Sequence, residues 1–315
     1  MHQIAAVTAT AAIALLAGCT ATSARVEDGP QSSLVGVQVA ARAADVNQVG
    51  GAPAGTRTGY DPLRYAYWGL PTTGPANTEL TVLFNQGYAS GWDHAAGRPA
   101  WAAYRLFRSA ASPGWGALES RNWQPDARLA GAATAPALAA DARNRDEALR
   151  IAGLYGRDAL PHQLAPYGSI TAAFGAAAGD ETLLRSNFFA GPASRNRPAW
   201  DALQEHEWTW AQTVGELWVV CGPLGGSKDH PEAVWKIQTA VLQGRTEVQA
   251  FIIPVAADQP EASRDGAQTT GAERFLTTVG EIETRTGLTF YAGFHDNHGD
   301  TAERLRVLKP AALWK

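Results

Sequence analysis

Five apolar runs of strand length are set among only two segments with a helical period, and that pattern limits the fold class. The runs are residues 80–84, 101–107, 217–220, 233–241 and 248–254. Short runs of this kind, rich in β-branched and aromatic residues, read as strands. In the second run the bulky Trp101, Tyr104 and Leu106 alternate only loosely. Between the strands, Trp200, Leu203, Trp210 and Val214 fall on one face at helical spacing, so residues 200–214 read as an amphipathic helix. A second helix runs from about Thr277 to Arg285 and stops at Gly287. Residues 127–150 are alanine-rich and read as a loop with a short helix. Strands with segregated helices argue for an α+β fold, not for repeated βαβ units.

The folded body starts abruptly. Residues 20–59 are rich in Ala, Gly, Ser, Val and Gln, and aromatic residues begin only at Tyr60. That composition reads as a tether ahead of a domain spanning residues 60–315. The first 19 residues read as an export signal: an apolar stretch, Ile4 to Leu16, too short to span a bilayer, ends in Leu16-Ala17-Gly18-Cys19. This tetrapeptide resembles a bacterial lipobox, which implies lipidation of Cys19 and attachment to a membrane by acyl chains. The n-region carries His2 but no Lys or Arg, so a plain signal peptide is the alternative. Cys221, the only other cysteine, sits in an apolar run and reads as a core residue. The net charge of −4 excludes a global basic field for nucleic acid, so such binding has to come from a local patch or a cation.

The candidate chemistry is concentrated in one stretch. Asp158-Ala-Leu-Pro-His-Gln-Leu-Ala-Pro166 is followed by Ser186-Asn187 and Asn196-Arg-Pro-Ala-Trp200, with the two asparagines nine residues apart. A histidine can take a proton from water near neutral pH. An asparagine oxygen can bind a hard cation. Taken alone, Asn196 reads first as the N-terminal cap of the following helix, and His162 as a surface-loop histidine after Pro161.

These pieces, with several others in the same order, resemble the DNA/RNA non-specific endonuclease family, the sugar-non-specific ββα-metal (His-Me finger) nucleases. Arg98-Pro-Ala-Trp-Ala-Ala-Tyr-Arg-Leu106, Arg121-Asn-Trp-Gln-Pro-Asp126, Leu164-Ala-Pro166, Cys221-Gly-Pro-Leu224, Trp235-Lys-Ile237, Ala250-Phe-Ile-Ile-Pro254 and the segment from Val279 to Leu288 carry the likeness. The resemblance implies an antiparallel sheet core with flanking helices and a metal site carried on a helix. It implies Mg²⁺-dependent cleavage of DNA and RNA, with Mn²⁺ and Ca²⁺ as alternative ions. In that reading His162 is the general base and Asn196 the metal ligand. Arg121 grips the scissile phosphate, and Asn187 shapes the site by hydrogen bonds to the histidine or the phosphate. Contacts to backbone phosphates and not to base edges would make cleavage indifferent to sequence. A second copy of the chain is counted among the partners.

Three departures from the family pattern qualify this. The family histidine lies in Asp-Arg-Gly-His beside a Leu-Ala-Pro-like triplet. An ungapped alignment puts Gln163 in its place, whereas one residue inserted on either side of the histidine puts Asp158 and His162 at the Asp and His positions and loses the arginine. Arg157 lies next to Asp158, but strand neighbours face opposite ways. Gln204 stands eight residues after Asn196, where the family has a glutamate bonded to metal-bound water. Glu205 and Glu207 are nearby and read as a solvated helix face. Ala190-Gly191 replaces the family's Pro-Gln. These losses support an alternative: a pseudonuclease serving as a nucleic-acid-binding or envelope lipoprotein. His295 and His298 have the spacing of a second cation site but fall where the family has only a surface loop, and Gly222 to Gly226 reads as a turn between strands.

Overall fold

A computed structural model describes residues 63–73, 80–114, 124, 126–129, 159–192, 197–227, 230–255, 271–293 and 299–314. Its strands are β1 (Thr72–Thr73), β2 (Leu80–Phe84), β3 (Tyr88–Asp93), β4 (Arg98–Phe107), β5 (Ala159–Gln163), β6 (Phe188–Pro192), β7 (Glu216–Leu224), β8 (Ala233–Leu242), β9 (Arg245–Pro254), β10 (Leu276–Thr277) and β11 (Leu288–Thr289). Its helices are α1 (Tyr167–Phe174), α2 (Ala176–Glu181), α3 (Arg197–Val214), α4 (Val279–Thr286) and α5 (Gly299–Val307). Seven strands form one antiparallel sheet in the order β10-β9-β8-β7-β4-β3-β2. Two strand pairs stand apart from it, β5-β6 and β1-β11.

Side-chain alternation divides the core into two layers, one on each face of the large sheet. Tyr104, Leu106, Val219, Cys221, Phe251 and Ile253 pack against Leu164, Ile170, Phe189 and the α3 residues Trp200, Leu203 and Trp210. The intervening residues Trp101, Ala103, Val220, Trp235 and Ile237 pack against Val279 and Ile282 of α4 and Leu305 of α5. Because β7 and β8 are buried on both faces, they read in the sequence as continuous apolar runs and not as alternating ones. The loose alternation of β4 has the same cause: Trp101 enters one layer, and Tyr104 and Leu106 the other. The register shifts between Gly91 and Trp92, opposite Pro99 to Trp101. A Cβ at Gly91 would sit 2.3 Å from the Trp101 indole, so only glycine lets that ring lie across β3.

The helix ends follow from their residues. Thr278 accepts a hydrogen bond from the Glu281 amide and opens α4, and Gly287 closes it at φ 70°. At the end of α3, Arg108 donates to the Gln212 and Thr213 carbonyls, which places a cation on that helix's negative terminus. The turn expected over Gly222 to Gly226 is shorter, because Gly222 to Leu224 pair with β8 as part of β7; the chain turns through Gly225 and Gly226, both with positive φ, and Arg98 donates to the Gly225 and Ser227 carbonyls there. Among the described residues no helix is long and apolar enough to cross a membrane. The export segment with Cys19, the tether and nearly all of residues 127–150 lie outside the described residues.

Candidate active site

The antiparallel pair β5-β6 and the N-terminal half of α3 form a strand–strand–helix unit on the α3 side of the sheet. The strands are antiparallel, with His162 opposite Phe189 and Gln163 opposite Phe188. Neighbouring residues of a strand point to opposite faces, so His162 and Gln163 cannot both face the same site. Gln163 is engaged on its own side. Its Nε2 donates to the Thr182 carbonyl at 3.1 Å and to Thr182 Oγ1 at 3.0 Å. Its Oε1 accepts from the Tyr167 amide at 3.1 Å, satisfying a donor of the first turn of α1. That cap is needed because Pro166, the residue before the helix, provides no side-chain bond. His162 faces the other way, 8% exposed. Its ring stacks on Phe189 with centroids 5.0 Å apart and planes 10° from parallel.

Asn187 closes a 3-10 turn, Arg185–Asn187, just ahead of β6. Its Oδ1 accepts from the Ala165 amide at 2.8 Å, and its Nδ2 donates to the Ala165 and Thr182 carbonyls, each at 2.9 Å. The residue is fully buried. These bonds hold Leu164-Ala-Pro166 against the start of β6. Here the structure differs from expectation: the amide is bonded to main chain and not to the imidazole or outward to a phosphate. The Gln204 Nε2 similarly donates to the Gln163 and Leu164 carbonyls, both at 3.3 Å, and ties α3 to the end of β5.

The expectation of a solvated Glu207 is corrected. Glu205 is exposed, but Glu207 is fully buried. Its Oε1 accepts from the Lys236 ammonium and from Gln238 Nε2, and its Oε2 accepts from the Tyr104 hydroxyl at 2.6 Å. The Lys236 Nζ also lies 4.1 Å from the centre of the Trp200 ring, on the first turn of α3. Glu207 sits on the inward face of α3, shared with Leu203 and Trp200, and its partner on β8 is 29 residues away.

Asp126 holds the end of the Arg121-to-Asp126 segment in place. Its Oδ2 accepts from Ser186 Oγ at 2.6 Å and from Arg128 at 2.7 Å, and its Oδ1 accepts from Arg128 Nε at 2.8 Å. Arg128 also donates to the Phe84 carbonyl and to Asn85 Oδ1. Main-chain bonds between Gln124 and residues 183 and 185 complete the attachment. Burial pushes the Asp126 carboxyl up, but the hydrogen bonds from Arg128 and Ser186 outweigh it and hold the group below the usual carboxylate range. The available signal was an aspartate ending the motif with an arginine two residues on.

A strand–strand–helix unit with a histidine on its first strand, fastened beside a large antiparallel sheet, is the arrangement that the family resemblance implied. A family model described as DNA/RNA non-specific endonuclease matches residues 72–297. The chain belongs to this DNA/RNA non-specific endonuclease family. Among curated proteins nothing matches it. The α+β architecture with an antiparallel core agrees with the family fold.

Members of the DNA/RNA non-specific endonuclease family are metal-dependent nucleases acting on nucleic acid. Of the residues expected to do that chemistry, the structure brings together His162, Asn187 and Gln204 around the end of β5. Asn196, one residue before α3 begins, lies outside the described residues, as do Arg121, Arg157, Asp158, His295 and His298. Among the described residues no three His, Cys, Asp or Glu side chains converge on one point. The buried carboxylate of α3, Glu207, is paired with Lys236.

Proposed function

We propose that this chain is an exported, metal-dependent endonuclease that hydrolyses DNA and RNA phosphodiester bonds without sequence preference. The observation that carries the reading is the division of labour on β5. Gln163 is committed to Thr182 and the cap of α1, while His162 faces the opposite side in a slot against Phe189. This supports the alignment in which His162, and not Gln163, takes the family histidine's place.

In the proposed reaction His162 accepts a proton from the attacking water. The water oxygen bonds to phosphorus, and the bond from phosphorus to the leaving oxygen breaks, that oxygen taking a proton from solvent to become a hydroxyl. Arg121 contacts the phosphate oxygens, where a guanidinium fork suits the added negative charge. Asn196 offers its amide oxygen to a hydrated divalent cation, with Mg²⁺ the first choice. When bound, that ion supplies positive charge for the phosphate and the leaving oxygen. Asn187 acts as a positioning residue, fixing the Leu164-Ala-Pro166 turn that follows the histidine strand. Gln204 has its Nε2 on two carbonyls, so a cation-bound water would meet its uncharged Oε1 end. Residues 1–19, with Cys19 lipidated, would deliver a domain of residues 60–315 to the envelope on the tether 20–59.

A second reading, the pseudonuclease, draws on the missing carboxylate: Gln204 brings no charge and Glu207 is paired with Lys236. One assay separates the two. Purified protein is incubated with plasmid DNA and with RNA, with Mg²⁺, with EDTA, and as His162→Ala. Mg²⁺-dependent degradation that His162→Ala lowers by roughly 100-fold or more is the expected outcome. A well-folded protein that degrades neither polymer with any divalent ion would give the second reading the field.

A further inference from the structure

We propose that Gly191 is a positioning residue for His162: the absence of a side chain at 191 creates the slot in which the imidazole lies. The inference rests on reading His162 as the base. In the β5-β6 register His162 pairs with Phe189 and Leu160 with Gly191, so Gly191 is on the same face as His162, two positions along β6. From its own strand the ring crosses to β6, lies flat on Phe189, and extends its Cδ2–Nε2 edge over Gly191. A Cβ built on Gly191 would stand 3.1 Å from Cδ2 and 3.2 Å from Nε2 of His162. Those separations are tighter than ordinary carbon contacts. The ring has little space to retreat into, because Phe189 is 1% exposed and His162 8%.

Backbone conformation does not account for the glycine. Gly191 is absent from the positive-φ glycines of the described residues, so an L-residue fits the main chain there. Glycine also weakens a strand interior and commonly marks a close approach. The close approach here is a side chain, the imidazole. The two departures from the family pattern, the displaced histidine and the glycine after Ala190, therefore face each other across the strand pair. The second provides the room that the first occupies.

The test uses the full chain as Gly191→Ala and Gly191→Val, both compatible with a strand. Carbon–proton spectra of histidine-labelled protein are recorded without added metal, and the His162 signals are assigned by their loss in His162→Gln. In the wild type, stacking on Phe189 shifts the His162 ring protons upfield. Alanine moves these signals and valine moves them further, while the circular dichroism spectrum stays that of the wild type. In the Mg²⁺-dependent cleavage assay kcat falls by roughly 10-fold for alanine and 100-fold for valine with KM little changed, as expected when a reacting group is misplaced by about 1 Å. Unmoved ring signals in both folded variants overturn the inference. Moved signals with wild-type kcat overturn the positioning role. If the wild type cleaves nothing, the nuclease reading falls, and the ring signals alone still decide whether Gly191 places the imidazole.

Discussion

Glu207 and Lys236 meet with neither side chain exposed, whereas in the other acid–base pair near β5-β6 Asp126 is 2% and Arg128 20% exposed. The partners differ as much as the exposure. Glu207 gathers Lys236 and Gln238 from β8 and Tyr104 from β4, so one carboxylate joins helix α3 to two strands of the sheet. Asp126 and Arg128 are two residues apart and reach outward to Ser186, Asn85 and the Phe84 carbonyl. The first pair ties separate elements through the core, and the second fastens a loop to the edge of β5-β6. A charge sealed among apolar groups is held only by its partners, because water cannot replace them. The contrast teaches that ion pairs of the same chemistry carry different amounts of stability according to what would replace a lost partner.

The largest effect expected from breaking this comparison is Lys236→Met. It leaves Glu207 charged, buried and short of its main partner, and urea unfolding at neutral pH should show a loss of about 3–5 kcal/mol. Adding Glu207→Leu removes the stranded charge and should restore much of that loss, although the Tyr104 hydroxyl and Gln238 amide then lack their acceptor. A single variant losing under about 1 kcal/mol would mean that water reaches the pair, and the two sites would then be alike.

A smaller effect is expected at the second pair. Asp126→Asn removes the charge from four hydrogen bonds, three from Arg128 and one from Ser186, and should lower stability by about 1.5–3 kcal/mol. Its pH dependence has a definite sign. The folded carboxyl is held below its unfolded value, so its contribution is fully present above about pH 4, near that unfolded value, and is lost as the pH falls through the folded one. The stability gap between wild type and Asp126→Asn should therefore be full at neutral pH and narrow in stronger acid. A gap that stays constant down to acid unfolding would count against the pairing. KM for cleavage should also rise, because Asp126 anchors the segment that leads back to Arg121.

Most of the large sheet was legible in the sequence, while much of the site was not. Strands β2, β4, β7, β8 and β9 and helices α3 and α4 are visible because each carries its signal within its own length. The pair β5-β6 is different. Each strand has five residues, β5 includes Pro161, and α1 and α2 lie between them, so the pairing is non-local and no turn announces it. The burial of Glu207 was hidden for the same reason: its cation lies on β8. The choice between His162 and Gln163 depends on the parity of a strand, which a one-residue insertion reverses. In the structure Gln163 is claimed by Thr182 and the Tyr167 amide, contacts that lie outside its own strand.

The smallest expected effect concerns Cys221 and tests how dry the first pair is. The thiol is fully buried on β7, its Sγ donating to the Leu164 carbonyl at 3.7 Å. Burial pushes it up to about 12, against a smaller downward pull from Lys236. Alkylation requires the thiolate, so native protein in mildly alkaline buffer should show almost no modification of Cys221 by iodoacetamide, read by peptide mapping that separates it from Cys19. Reaction then proceeds only through opening, and where reclosing outpaces alkylation its rate follows the population of the open form. Lys236→Met should therefore accelerate labelling more than Asp126→Asn does, in the ratio set by their losses of stability. Equal acceleration by the two variants would mean that the core beneath α3 opens as readily from the loop edge as from its own ion pair. Labelling of the wild type at the rate of a free thiol would mean that this core is wet, and the distinction between the two pairs would fail.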